Sequence, residues 1–511
     1  MESIPARRRR WPMIAGITVA LLGVLAVILA LVAHTINATL RSKLQTALSD
    51  RFGGDITFKQ FDVSMFPRFS LNAGGMVVRR TADADLPPLL EAVRIQGEGP
   101  FLWLLMGHVR HMKIEGLSLN IPAGHKAPSD SAKKKARFPV VIDEIVSDGA
   151  HLEILRTKSE KPPLEFQIRH LDMRGVDLDN ATRFQATLDN PEPRGEIETK
   201  GQFGPWDGEE PSQTPVSGSY KFSHADLATF NGIGGILEST GSYKGVLSRL
   251  EVDGQTTTPD FSLTMARHPL PLETEFHAIV DGTNGNTTLQ SVQGKLANTP
   301  IFTSGEIAKF QDHRGRTILL TGEVQNGRLE DILKLVVQSS PPPLSGLISL
   351  RTKIDIPPGD EDVIRKLRLN GTFDIRSARF SSINIREKLR SLSRKAKGMP
   401  DDPSAGSAVT NMKGAFELNR GVASFSQLTF QVDGASIQLA GKYDLQGESM
   451  DFHGKLLMDA KLSQTTTGAK AFFLKALDPL FHKKDGGSEI PIRISGTRSD
   501  PSFSLDIGKK F

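Results

Sequence analysis

Apolar side chains in this chain recur at every second residue, and that period constrains the fold more than any other feature. Leu367, Leu369, Phe373 and Ile375 share one parity with Gly371 between them, and Ile437, Leu439, Tyr443 and Leu445 do the same around Gly441. Leu428, Phe430 and Val432 form a third set, and Phe503, Leu505 and Ile507 a fourth. Successive side chains on a strand point to opposite faces, so period two with polar residues between gives strands that are apolar on one side. Asp-Gly and Asn-Gly pairs at Asp253-Gly254, Asn284-Gly285, Asn326-Gly327 and Asp433-Gly434 read as hairpin turns. The expected connectivity is mostly an antiparallel meander. At about 15 residues per strand and turn the chain supplies about 30 strands. A single continuous sheet of them would extend at most roughly 140 Å.

One segment breaks the pattern. Met13 to Ala33 is uninterrupted and apolar, and Arg7, Arg8, Arg9 and Arg10 precede it. Its length suits one α-helix across a bilayer core, and the arginines hold the N-terminus in the cytoplasm. Leu31 stands where a cleavage site after Ala33 needs a small residue, so a retained anchor is expected rather than a cleaved signal. Ile36, Leu40, Leu44 and Leu48 carry the helix on to about Arg51, with Gly53 and Gly54 as its stop.

Other helices are few. Pro100–Met106 is short and apolar all round, and three glycines weaken Leu227–Ile236. Ile385, Leu389 and Leu392 predict an amphipathic helix ending before Gly398. Phe472–Phe481 predicts another, with Phe473, Leu477, Leu480 and Phe481 on one side. Three polar stretches read as loops or linkers: 122–137, 206–214 and 397–408. The fold class is mainly β: a single N-terminal transmembrane helix, then an elongated, curled antiparallel β-sheet groove with a few short helices.

Composition narrows the function. The net charge is +5, but the first 33 residues hold four arginines and one glutamate, so the remainder is nearly neutral and carries no nucleic-acid footprint. No cysteine is present, which excludes disulfides, thiolate metal sites and a thiol nucleophile. The 27 Phe against 3 Trp and 3 Tyr lean away from a glycan platform, because Phe has no polar handle.

Candidate chemistry is sparse. His108 and His111 form an H-x-x-H pair, but at the start of a strand and with only Glu115 near in sequence, so surface histidines are expected. Asp281, Asn284 and Asn286 suggest calcium, yet Val292 occupies the position of the bidentate Glu, and a turn is the better reading. Gly232, Gly234 and Gly235 lack a strand–helix context for a dinucleotide. No P-loop and no Gly-x-Ser-x-Gly elbow occurs. No enzyme, cofactor or metal is expected. Lys133–Arg137 reads as a solvated loop, with anionic headgroups as its functional alternative.

The stretches "RFGGDITFKQFDVSMFPRFSLNAGGMVV" (Arg51–Val78) and "LLMGHVRHMKIEGLSLNIP" (Leu104–Pro122) resemble the N-terminal region of the AsmA family of bacterial envelope proteins. "NMKGAFELNRGVASFSQLTFQVDGASIQLAGKYDLQGESMDFHGKL" (Asn411–Leu456) and "PIRISGTRSDPSFSLD" (Pro491–Asp506) resemble its C-terminal repeat. The resemblance implies an inner-membrane protein, single-pass, with its bulk in the periplasm and a groove for acyl chains. It implies phospholipid as cargo, outer-membrane biogenesis as the process, and envelope proteins as partners. The organisation that follows is a cytoplasmic tail (1–12), the transmembrane helix (13–33), an AsmA-like N-terminal region (34–121) and a basic loop (122–138). A middle β-rich region (139–360) and the AsmA-like C-terminal region (361–511) complete it.

Expected groove-lining residues are Leu367, Leu369, Phe373, Ile375, Leu428, Phe430, Ile437, Leu439, Phe503 and Leu505. Phe472, Phe473, Leu477 and Phe481 are candidates for membrane contact or a groove cap, with packing on the last strands as the plainer alternative. A one-sided apolar sheet must cover that face. Closed β-sandwiches satisfy the periodicity as well as an open trough does, and the resemblance favours the trough. An assembly or scaffold factor for outer-membrane proteins, without lipid transport, is the competing function.

Overall fold

The computed structural model describes residues 54–64, 68–80, 87–88, 90–100, 108–122, 141–155, 164–177, 180–191, 193–205, 213–282, 285–308, 316–359, 361–467, 469–476, 478–483, 486–497 and 500–506. Arg7–Arg10, the apolar run Met13–Ala33, its extension to Arg51, most of Pro100–Met106, the Lys133–Arg137 loop and Leu477 lie outside the described residues. Among the described residues no helix is long and apolar enough to cross a membrane.

Among the described residues twenty-six strands form one sheet. The first group is β1 (Gly54–Thr57), β2 (Gln60–Ser64), β3 (Arg68–Arg80), β4 (Leu90–Pro100), β5 (His108–Glu115), β6 (Ser118–Pro122), β7 (Val141–Leu155), β8 (Leu164–Val176), β9 (Thr182–Pro191), β10 (Arg194–Phe203), β11 (Pro215–Asp226), β12 (Ile233–Gly234), β13 (Ile236–Val246) and β14 (Arg249–Leu263). The second is β15 (Leu270–Val280), β16 (Thr287–Leu296), β17 (Thr299–Ala308), β18 (Thr317–Arg328), β19 (Leu344–Ile356), β20 (Arg368–Phe380), β21 (Thr410–Asn419), β22 (Val422–Val432), β23 (Ala435–Asp444), β24 (Ser449–Met458), β25 (Ser488–Thr497) and β26 (Pro501–Leu505).

From β7 onward each strand lies antiparallel beside the next, with β12 alone set aside, paired to the end of β14. β5 and β6 run in tandem against β4 and pair with β7 in parallel. A parallel pair needs a crossover rather than a hairpin, so no tight turn joins β6 to β7. The sheet is thus a meander with one parallel seam.

One of the four expected hairpin turns holds, and in a second Asn284 lies outside the described residues. Asp433-Gly434 joins β22 to β23 with Val432 opposite Ala435, and Gly434 takes the positive φ (85°) that such a turn requires. Gly285 lies in the β15–β16 turn, where its N–H donates to the Asp281 carbonyl (2.5 Å) and the Asp281 N–H to that of Asn286 (2.8 Å). The other two are corrected. Asp253-Gly254 lies inside β14, where Gly254 faces Gly241 and Phe276 on the adjacent strands. Asn326-Gly327 forms a bulge in β18, with Asn326 at φ 52°.

Helices are short. α1 (Leu329–Val336) follows β18, α2 (Val363–Lys366) follows β19, α3 (Ile383–Ala396) follows β20, and α4 (Ala469–Lys475) follows β24. α3 is the predicted amphipathic helix, capped by Ser382 at its start. Leu227–Ile236 forms only a 3-10 turn and β12. The single helix expected over Phe472–Phe481 is two pieces, α4 and a 3-10 turn at Asp478–Phe481.

The sheet is curled. Strand alternation puts the β11–β13 connection and α2 at opposite edges, yet the Val363 N–H donates to the Asn231 carbonyl (2.9 Å). Between those strands the ribbon therefore winds far enough to bring its two edges together.

Candidate functional site

Directly paired residues share a face, so the register shows which side chains line up across the sheet. One row runs Phe276, Val292, Thr303, Gly322, Thr352, Gly371, Phe416, Phe425, Gly441, Phe452 and Ile494, ending opposite Phe503. A second carries Leu350, Phe373, Gly414, Leu428, Leu439, Gly454, Ile492 and Leu505. A third carries Ile348, Ile375, Met412, Phe430, Ile437, Leu456 and Ile490. Nine of the ten expected lining residues thus fall on one apolar face, with Leu369 in a fourth row beside Leu418. Leu367 is the correction: it is the C-cap of α2, one residue before β20 begins.

The same face continues through β1–β14, but its exposure changes along the sheet. Leu71, Met76, Ile95, Ile114, Ile145, Met173, Leu188 and Phe222 are each no more than 2% exposed. From β15 onward most inward apolar side chains are half-buried, among them Leu369, Phe373, Leu428, Phe430, Ile437 and Leu439. Leu505, on the edge strand, is 52% exposed. The first region is a filled core and the second an open face.

Two helices cover part of that open face. α1 packs Leu329, Ile332 and Leu333 over Val324, Ile348, Ile375 and Ala378. Its buried Asp331 accepts from the Asn298 N–H and the Thr299 hydroxyl, both 3.1 Å, which fixes the helix to the β16–β17 turn. α3 packs Leu389, Leu392 and Ala396 over Phe430, Val432, Ala435, Leu456 and Met458. Both helices leave the sheet at the same edge and wall it, and the cluster under α1 reaches Leu350 and Phe373, which stay half-buried.

Phenylalanine lines the half-buried rows. Phe373 lies 6.2 Å from Phe416 and 6.3 Å, edge-on, from Phe425, which in turn lies 5.8 Å from Phe452. Phe373 lies over its cross-strand neighbour Gly414, where a methyl group would stand 3.0 Å from the ring. Such a surface offers contact without hydrogen bonds.

The opposite face is hydrophilic. An open cleft of about 730 Å³ is lined by Arg351, Lys353, Asn370, Glu417 and Lys442 together with Phe416 and Phe425. His108 and His111 belong to the hydrophilic face. Each pairs with its own carboxylate on β7: His108 Nδ1 with Asp143 (3.2 Å) and His111 Nδ1 with Glu144 (2.7 Å). Glu115, the only acid expected near them, pairs instead with Lys113 (3.0 Å), and that contact draws its carboxyl below the usual range. Among the described residues no three metal-ligating side chains converge.

Of the expected cap residues, Phe472 and Phe473 lie on α4, and Phe481 ends the 3-10 turn half-buried. Leu480, expected on their apolar side, is 75% exposed. Compared with family models, with curated proteins and with solved structures, the chain matches none.

Proposed function

We propose that the chain is an inner-membrane-anchored periplasmic protein that carries phospholipid toward the outer membrane, with the acyl chains held against the open face of β15–β25. The observation that supports this most is the largely half-buried apolar face that passes from strand to strand, through several bulges, across those eleven strands. Each CH₂ buried there gains about 0.8 kcal/mol. Hydrophobic contact is non-directional, so a tail can slide along the rows without breaking specific bonds. The filled core of β1–β14 confines the cargo to the second region, which differs from a groove open from the anchor onward. The reading assigns no catalytic step, metal or cofactor.

Phospholipid detected by mass spectrometry in the purified full-length protein is the expected result. Leu439→Glu, which puts a charge into the second row, should remove most of it. Gln438→Glu, on the opposite face of the same strand, should not. Lipid-free wild-type protein would refute the proposal. The competing scaffold reading relies on strand addition to sheet edges. Among the described residues those edges are β1, β2 and β26, of four, five and five residues, and short edge strands resist such pairing.

A further inference from the structure

Outside the trough, the connections at the helix-bearing edge form a layer of their own. The Ala460 N–H donates to the Ala396 carbonyl at the end of α3 (2.8 Å), and the Ser463 N–H donates to Asp478 (2.8 Å). Gly406 lies against the Arg390 carbonyl on α3. Five large apolar side chains project from this layer into solvent: Ile383 (66% exposed), Ile385 (39%), Met399 (51%), Val409 (39%) and Leu480 (75%). None is needed by the packed side of α3, which uses Leu389, Leu392 and Ala396.

Basic residues outnumber acids around these side chains, where the acids include Asp401, Asp402, which accepts from the Ser404 N–H, and Asp478, which accepts from the Ser463 N–H. Residues 383–397 contain Arg386, Lys388, Arg390, Arg394, Lys395 and Lys397 against the single acid Glu387. Glu387 is taken by Arg390 (2.6 Å), and Lys397 pairs with Asp433. Among the described residues no carboxylate pairs with Arg386, Lys388 or Lys395. Apolar tips within unpaired cations are the pattern of a surface that lies in the headgroup region of a bilayer. A second copy would bring like charge against like.

We propose that this edge docks on the surface of an anionic lipid bilayer, with Ile383 and its neighbours inserted among the headgroups and α3 supplying the charge. The docking surface does not rest on lipid carriage by the trough: either can hold without the other.

The chain has no native cysteine, so Ile383→Cys in the full-length protein takes a single environment-sensitive fluorophore. Gln446→Cys, in the β23–β24 connection at the opposite edge, is the control. The labelled protein is reconstituted in vesicles and mixed with further vesicles. Each set is switched separately between phosphatidylcholine alone and equal parts phosphatidylcholine and phosphatidylglycerol. A blue shift at position 383 in either anionic condition, absent at 446 and reversed by salt, is expected. Combining Arg386→Glu, Lys388→Glu and Lys395→Glu should weaken the partitioning by about 100-fold or more. Salt reversal on the unmutated surface gives the same test without relying on that variant. No shift at 383, an equal shift at 446, or a shift that grows with protein concentration in neutral lipid overturns the proposal, the last in favour of self-association.

Discussion

Leu188 on β9 and Leu439 on β23 belong to the same alternating pattern, yet Leu188 is 1% exposed while Leu439 is half-buried on an open face. The difference lies above the level of the strand. Both have polar neighbours on the other face and antiparallel partners in register. What separates them is what lies over the apolar face. In β1–β14 that face is shielded from water; in β15–β25 α1 and α3 cover only one edge of it. The contact between Val363 and Asn231 ties the two regions where the ribbon winds back on itself. One sequence pattern thus yields a core in one half and an open apolar face in the other.

The sharpest way to break this comparison is truncation on both sides of it. Phe222, fully buried on β11, should cost about 3–5 kcal/mol as Phe222→Ala, read from denaturant unfolding. Phe425, half-buried on β22, should cost only about 1–2 kcal/mol as Phe425→Ala, because water already reaches part of its surface. Equal losses would mean that both halves are cores.

Tyr243 tests how dry the first region is. Burial pushes its hydroxyl up to about 12, against a smaller opposing effect of the Thr199 hydroxyl 2.8 Å away. An acid whose folded value lies above its unfolded one stabilises fully below the unfolded value, near 10, and loses that contribution as pH rises through the folded value. A shift of this size corresponds to about 2–3 kcal/mol. Between pH 10 and 12 the wild type should therefore lose stability faster than Tyr243→Phe. Parallel curves would place Tyr243 in water and the first region open.

The smallest effect belongs to the polar face. Arg169 links β8 to β9 and β10 through Asp189 and Glu196, each of the three side chains at least a third exposed. Arg169→Ala should shift stability by less than about 1 kcal/mol. A larger loss would show that the charged face, rather than the shielded apolar one, holds the first region together.

Much of the fold was legible in the sequence. Period two marked the strands because a half-buried sheet repeats every second residue, and α3 was marked by its 3.6-residue spacing. Asp253-Gly254 misled because a glycine that admits Phe276 and Tyr220 has the same sequence signature as a glycine in a turn. α1 was missed because eight residues between two strands hold too few turns to show a helical period. The carboxylate partners of His108 and His111 were missed because they lie across a parallel pairing whose register a crossover does not encode. The candidate lining residues were legible as a face, since alternation specifies which side chains are apolar together. Whether that face was filled or open was not, because alternation carries no information about what covers it.

The central claim is best tested by photo-crosslinking with a benzoyl-phenylalanine at single positions of the full-length protein in intact cells. Phe373 and Leu439 probe the open face, Met76 and Met173 the filled core, and Thr372 and Gln438 the polar face. The expected result is phospholipid adducts at Phe373 and Leu439 and at none of the other four. Adducts at equal yield on both faces of β20 and β23, or no adduct at Phe373 and Leu439, would contradict an open apolar trough that holds lipid.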